Sequence, residues 1–147
     1  MKRKTLFFLF SCSTVFAFAA NTFVTTHGDD AQDGTSWESS MSSIQAAIDA
    51  SSSGDTVFIA EGTYNQSVKL KDGVHLLGGY DPSTGKRDYE TFPTVLDGTN
   101  LGKALISQGS AFKVPTYCDG LILQNAHHSS NGGAAVLKAN GILNHCT

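Results

Sequence analysis

From Thr56 onward the chain is a succession of β-prone apolar runs, most only three to five residues long, separated by Gly, Asp, Asn or Ser. The runs are Thr56–Ala60, Val68–Leu70, Val74–Leu77, Thr94–Leu96, Ala104–Ile106, Leu121–Leu123, Ala134–Leu137 and Ile142–Leu143. The turn words Asp72-Gly73, Asp97-Gly98, Asp119-Gly120 and Asn140-Gly141 stand 25, 22 and 21 residues apart. Three of them precede an apolar run, and Asp97-Gly98 follows one. A strand-and-turn unit returning at that interval buries its apolar side only by stacking on its neighbours, which predicts a solenoid. Leucine-rich repeats share the period, but no stretch sustains their Leu-x-x-Leu-x-Leu pattern. A β-sandwich is the other rival. Many of the runs are continuously apolar instead of alternating, which favours strands of a parallel sheet covered on both faces.

Composition supports many tight turns. All 15 Gly fall after residue 27, and Pro numbers only three. At 40% apolar and 16% charged residues the 147-residue chain has the make-up of one globular domain. Its ten Lys and Arg face 13 carboxylates, and Lys2, Arg3 and Lys4 are three of the ten. That acidic balance argues against nucleic acid or an anionic membrane surface as partner.

Those three cations open a segment that continues as the apolar run Leu6–Phe18 and ends in Ala17-Phe18-Ala19 before Ala20. Charged, apolar and small-residue regions in this order predict a cleaved secretory signal over residues 1–19, and the run is too short to span a bilayer. Leu9-Phe10-Ser11-Cys12 resembles a lipobox, but Phe10 is bulky for that position and the apolar run continues past Cys12. Export would leave Cys118 and Cys146 in an oxidising compartment, as a pair or as two small buried thiols.

Residues 20–55 precede the repeating region. Thr22–Thr26 reads as a strand, and His27–Gly34 as a loop dense in turn formers. Trp37, Met41, Ile44 and Ile48, spaced four, three and four, predict an amphipathic helix. Ser40, Ser42 and Ser43 offer N-cap hydroxyls, and Gly54 offers a stop just past a helix ending near residue 52.

Three stretches carry a resemblance: Asp33–Trp37, Ser43–Ala50 and Gly54–Tyr64. They resemble the amino-terminal region of secreted right-handed parallel β-helix proteins of the pectin-lyase-like group. Leu70–Tyr80, Val95–Gly98 and Asp119–Leu123 are similar as well, so the resemblance covers nearly the whole chain after residue 19. Asn144-His145-Cys146-Thr147 resembles the coil turns of polymorphic surface proteins of that architecture. The resemblance implies a mainly β, right-handed parallel β-helix whose open first end is covered by the Trp37–Ile48 helix. The first coils would occupy 56–147, Gly62-Thr63-Tyr64 would form a turn, and Gly78-Gly79 would release a loop excursion over 80–93. After Thr147 no polar capping segment follows, so the chain is expected to be the amino-terminal piece of a longer β-helix.

Each candidate for chemistry has a plainer alternative. Asp29, Asp30 and Asp33 offer calcium ligands, but Ala31 and Ser40 occupy positions where an EF-hand loop needs ligands, which favours turn formation. His127, His128 and His145 invite a metal, without the spacing of a closed site. The resemblance to polysaccharide lyases directs attention to a cationic base. Arg87, the only Arg after residue 19, sits beside Lys86 in a loop where solubility explains both. Asp97 and Asp119 match hydrolase acids by type only and read as turn residues. Asn65-Gln66-Ser67 fits a glycosylation sequon. Tyr64, Tyr80, Tyr89 and Phe92 are candidates for a sugar-stacking platform or for packing.

The expectation is therefore an exported or cell-surface protein without catalytic, cofactor or metal residues of its own, serving display, adhesion or polysaccharide contact. The alternative is the opening of a polysaccharide lyase or glycoside hydrolase whose active-site coils are not in this chain.

Overall fold

The computed structural model describes residues 19–127 and 133–147. Residues 1–18 of the expected export signal, Cys12 among them, and His128 lie outside the described residues. The chain is mainly β with one short helix. Its elements are β1 (Asn21–Val24), α1 (Ile44–Ala50), β2 (Thr56–Ala60), β3 (Gly62–Tyr64), β4 (Val68–Lys69), β5 (His75–Tyr80), β6 (Thr94–Asp97), β7 (Ile106–Ser107), β8 (Thr116–Asp119), β9 (Leu121–Gln124), β10 (Ala135–Val136) and β11 (Gly141–Asn144). They form three sheets, in the orders β1-β2-β5-β8-β11, β3-β6-β9 and β4-β7-β10. Every named pairing is parallel. From β2 to β10 the chain supplies one strand to each sheet in turn, and β11 returns to the first sheet.

Parallel pairing in register stacks like on like. Thr22 pairs with Val57, Val57 with Leu76, Leu76 with Cys118 and Cys118 with Leu143. The first four are buried. In the third sheet Val68, Ile106 and Ala135 form a shorter column of the same kind. Burying each Val, Leu or Ile in such a column contributes ~1.5–3 kcal/mol. Two buried threonine hydroxyls are satisfied by backbone groups. Thr94 Oγ1 accepts from the Gly79 amide at 2.9 Å and donates to the Ala60 carbonyl at 3.0 Å, and Thr116 Oγ1 accepts from the Gly73 amide at 2.8 Å.

Several expectations change. The sheets are buried on one face and not on both: β2 and β5 alternate, with Val57, Ile59 and Leu76 inside and Phe58 and Leu77 only half-buried. Their continuous apolar runs arise because the outer face of the first sheet also carries apolar side chains. The turn words mark different corners. Asp72-Gly73 and Asn140-Gly141 lead into the first sheet, Asp119-Gly120 links β8 to β9, and Asp97-Gly98 ends β6. Their even spacing is thus not the structural period: Leu76 faces Val57 on one side and Cys118, more than twice as far along the chain, on the other.

Gly62–Tyr64, expected as a turn, forms β3, and Thr116–Asp119 forms a strand that had no apolar run to announce it. Gly78 and Gly79 stay inside β5. Glycine is needed there for close approach, because a Cβ on Gly78 would lie 2.5 Å from the Gly120 carbonyl oxygen, and one on Gly79 2.6 Å from Tyr89 Cα.

The helix is also shorter than its apolar spacing predicts. Ser43 caps it, accepting from the Ala46 amide at 3.2 Å, and the Ser51 amide closes it on the Ala47 and Ile48 carbonyls. Asp30 Oδ1 accepts from the Ser42 and Ser43 amides at 2.9 and 2.8 Å, fixing the chain just before the cap. Met41 instead forms a parallel bridge with Val24, and Trp37 lies farther out. A four-three-four spacing is compatible with a helix but does not locate its start; the caps do.

Buried Ile44, Ala47 and Ile48 face inward, and α1 contacts β1, β2 and β4. Gln45 stands in for a neighbouring strand at the β4 edge: its Oε1 accepts from the Lys69 amide at 2.7 Å and its Nε2 donates to the Lys69 carbonyl at 3.4 Å. Gln66 does the same for the helix approach, accepting from the Ile44 amide and donating to the Ser42 carbonyl. At the β1 edge, Phe23 N–H donates to Gly34 O and Met41 N–H to Phe23 O. Replacing Gln45 by Ala is expected to cost about 1 kcal/mol through these two bonds. Replacing Ile48 by Ala should cost ~2–5 kcal/mol through a cavity. Urea melts of both variants check the order, and equal costs would contradict it.

Candidate functional site

The outward row of the first sheet runs Phe23, Phe58, Leu77, Asp119, Asn144 in register. It begins aromatic and becomes ionic. Phe23 and Phe58 have ring centroids 5.4 Å apart, Trp37 stands edge-on to Phe23 at 4.7 Å, and Tyr80 meets Phe58 at 5.0 Å and Trp37 at 5.7 Å. Four rings thus close a half-buried cluster on one face. Trp37 is brought there by a turn built on Asp33, whose Oδ1 accepts from the Thr35 amide and from the Thr35 and Ser39 hydroxyls. The Thr35 amide, then the Ser39 and Thr35 hydroxyls, hold the Asp33 carboxyl below its ordinary range.

Beyond Tyr80 the excursion folds back. Arg87 lies 5.9 Å from the Tyr80 ring centre and 5.8 Å from that of Tyr89. Its Nε donates to Gly78 O at 2.9 Å, and its guanidinium pairs with Asp119. The other Asp119 oxygen meets His145 Nδ1 at 3.2 Å, and the His145 imidazole stacks on Tyr89 at 4.9 Å. Partial burial works to raise the Asp119 carboxyl, but hydrogen bonds from Arg87 and His145 outweigh it and hold it below the usual range. Arg87 is therefore bolted to the sheet and is not a free solubility residue, which corrects its plainer sequence reading.

Two clefts flank this face. One, of about 460 Å³, lies beside Trp37 and is lined by His27, Asp29, Gln32, Glu38 and Pro82 among others. The other, of about 350 Å³, is lined by Tyr89, Glu90, Pro93, Ile122, His145 and Cys146 among others. Aromatic faces bordered by amides, carboxylates and imidazole suit stacking against the apolar face of a sugar ring with polar groups at its rim.

The remaining sequence candidates fall elsewhere. Tyr64 leaves the proposed platform: it is buried, and its hydroxyl donates to Ala60 O at 3.1 Å. Phe92 is half-buried on the excursion. The three loop aspartates serve separate turns, Asp29 accepting from the Ala31 amide and Asp30 from Ser42 and Ser43. No group of three or more His, Cys, Asp or Glu side chains suited to a metal occurs among the described residues. His127 is exposed. Asp97 accepts from the Thr99 hydroxyl and amide and from Asn125 and Gln124, which bring its carboxyl down to about 2. Asp97 and Asp119 are both held ionised, the state of a base or a ligand and not of a proton donor. The Asn65 side-chain amide donates to the Asp97 and Thr99 carbonyls, so the sequon nitrogen is engaged. Cys118 and Cys146 are free thiols.

Sequence reasoning missed Phe23, Trp37 and Phe58 as surface residues. Phe58 sits between inward Val57 and Ile59, so strand parity marks it as outward once the inner face is known. Comparison with known proteins finds no matching family model, no similar curated protein and no similar solved structure.

A carboxyl held low in the folded chain contributes stability above its unfolded value, near 3.9, and loses it as pH falls through the lower folded value. Asp119→Asn is expected to cost about 1 kcal/mol at neutral pH. It should also flatten the loss of stability below about pH 4. Urea melts at descending pH check this, and an unchanged acid profile would contradict the Arg87–Asp119–His145 network.

Proposed function

We propose that this chain forms the lid and coils of an exported right-handed parallel β-helix, acting without catalysis at or outside the cell surface, where its first sheet contacts carbohydrate. The order in which strands pass to three parallel sheets supports the architecture. The helix and Gln45 at the β4 edge, with Met41 and Gly34 at the β1 edge, support the reading of residues 20–55 as a lid over the first coil. Charged, apolar and small-residue regions over residues 1–19 support export. Among the described residues no helix is long and apolar enough to cross a membrane.

The observation that carries the functional reading is the ring cluster Phe23–Trp37–Phe58–Tyr80. These large apolar groups sit half-buried on the outer face of a sheet whose inner face already fills the core, so they are not needed to complete it. Aromatic clusters of this kind on an outer face mark a contact surface. The clefts with Glu38, Gln32 and Asp29 at one end and Glu90 and His145 at the other supply hydrogen-bonding groups beside them.

Trp37 is the only Trp, so its emission reports on this face directly. Titration with neutral and uronate-containing oligosaccharides is expected to give a saturable change in Trp37 fluorescence for at least one class. Tyr80→Ala should weaken that binding about fivefold, the equivalent of one aromatic contact of ~1 kcal/mol. Flat titrations across both classes would overturn the carbohydrate reading, and β-elimination products from a uronate polymer would overturn its non-catalytic part.

A further inference from the structure

Cys118 and Cys146 belong to the same core. Cys118 points inward from β8 and is fully buried, and half-buried Cys146 packs against the same cluster. Cys118 is the ladder partner of Leu143. The chain then turns at His145, whose φ is 43°, and Cys146 arrives over the corner at which β8 also turns, with its Sγ 3.5 Å from the Cys118 carbonyl oxygen. Thr147 N–H donates to Leu121 O at 3.1 Å and holds that corner closed. Access is one-sided: Cys146 lines the cleft beside Tyr89 and Glu90, whereas Cys118 lies behind it.

We propose that Cys146 and Cys118 form a dithiol that oxidises to an intramolecular disulfide, with Cys146 as the entry thiol, clasping the end of β11 to β8. The oxidant is a small-molecule disulfide of the glutathione class. The Cys146 thiolate attacks one of its sulfurs, releasing one small thiolate and leaving a mixed disulfide on Cys146. The Cys118 thiolate then attacks the Cys146 sulfur and releases the second small thiolate. The two protons lost by the protein appear on the two small thiols, and the two electrons reduce the oxidant. Burial pushes both thiols up, that of Cys118 further by its proximity to Cys146. Thiolate is therefore scarce near neutrality, and the rate should rise about tenfold per pH unit there. This goes beyond the carbohydrate reading and does not depend on it.

The test uses the full chain carrying Cys12→Ser, incubated with glutathione disulfide, quenched with a thiol-blocking reagent and mapped by non-reducing peptide mass spectrometry. The expected product is two hydrogens lighter, with the peptides of Cys118 and Cys146 linked, and melts at a higher temperature than the reduced protein. Cys118→Ala should halt with glutathione on Cys146. Cys146→Ser should take up no glutathione while folded, with circular dichroism confirming the fold of both variants. A stable mixed disulfide on Cys146 in the parent protein would overturn the pairing, and glutathione on Cys118 in Cys146→Ser at the parental rate would overturn the order of attack.

Discussion

Parallel, in-register pairing is the constraint on which this molecule depends. Because Val57, Leu76, Cys118 and Leu143 are successive ladder partners, each inward side chain lies over its equivalent in the next strand. Strands as short as β4 and β7 are viable only under that condition, since two residues bury little unless the layers above and below complete their surroundings. Parity then sends Phe23, Phe58 and Asp119 outward in one row. The aromatic and ionic outer face follows from the packing of the core.

The same constraint creates edges, and residues before Thr56 cover those at one end. β1 is closed by Gly34 and Met41, and β4 by the amide of Gln45. A glutamine side chain sets an N–H donor beside a carbonyl acceptor much as a peptide group does, so it satisfies a strand edge without extending the sheet. The excursion between β5 and β6 is used differently. It is pinned by Arg87 to Gly78 and Asp119, and it lays Tyr89 against His145 from a chain segment far along the sequence. Loop and sheet thereby form a single surface.

Much of the fold was legible in the sequence. The apolar runs located most of the strands, and Ser43 was among the three candidate caps. β3 escaped because Gly62 and Tyr64 also read as turn residues, and β8 because Thr116-Tyr117-Cys118-Asp119 alternates in a chain searched for continuous runs. The helix start was misplaced since the Trp37 and Met41 spacing satisfies helical periodicity while Asp30 and Ser43 decide the boundary. The surface site was much less legible. Phe23 and Phe58 look like core residues until the inner face is identified, and Arg87 looks like a solvated loop cation until β8 brings Asp119 beneath it. Register between strands separated by loops of unequal length is a tertiary property, and no local spacing encodes it.

The measurement that tests this account most directly is the interstrand contact map of the full chain in solution, read from nuclear Overhauser effects on isotopically labelled protein. The account predicts parallel amide contacts joining Val57 to Leu76, Leu76 to Cys118 and Cys118 to Leu143, with Trp37 ring protons close to Phe23 and Tyr80. Close Hα–Hα contacts of antiparallel pairs between these segments, or a Trp37 ring remote from both partners, would contradict it.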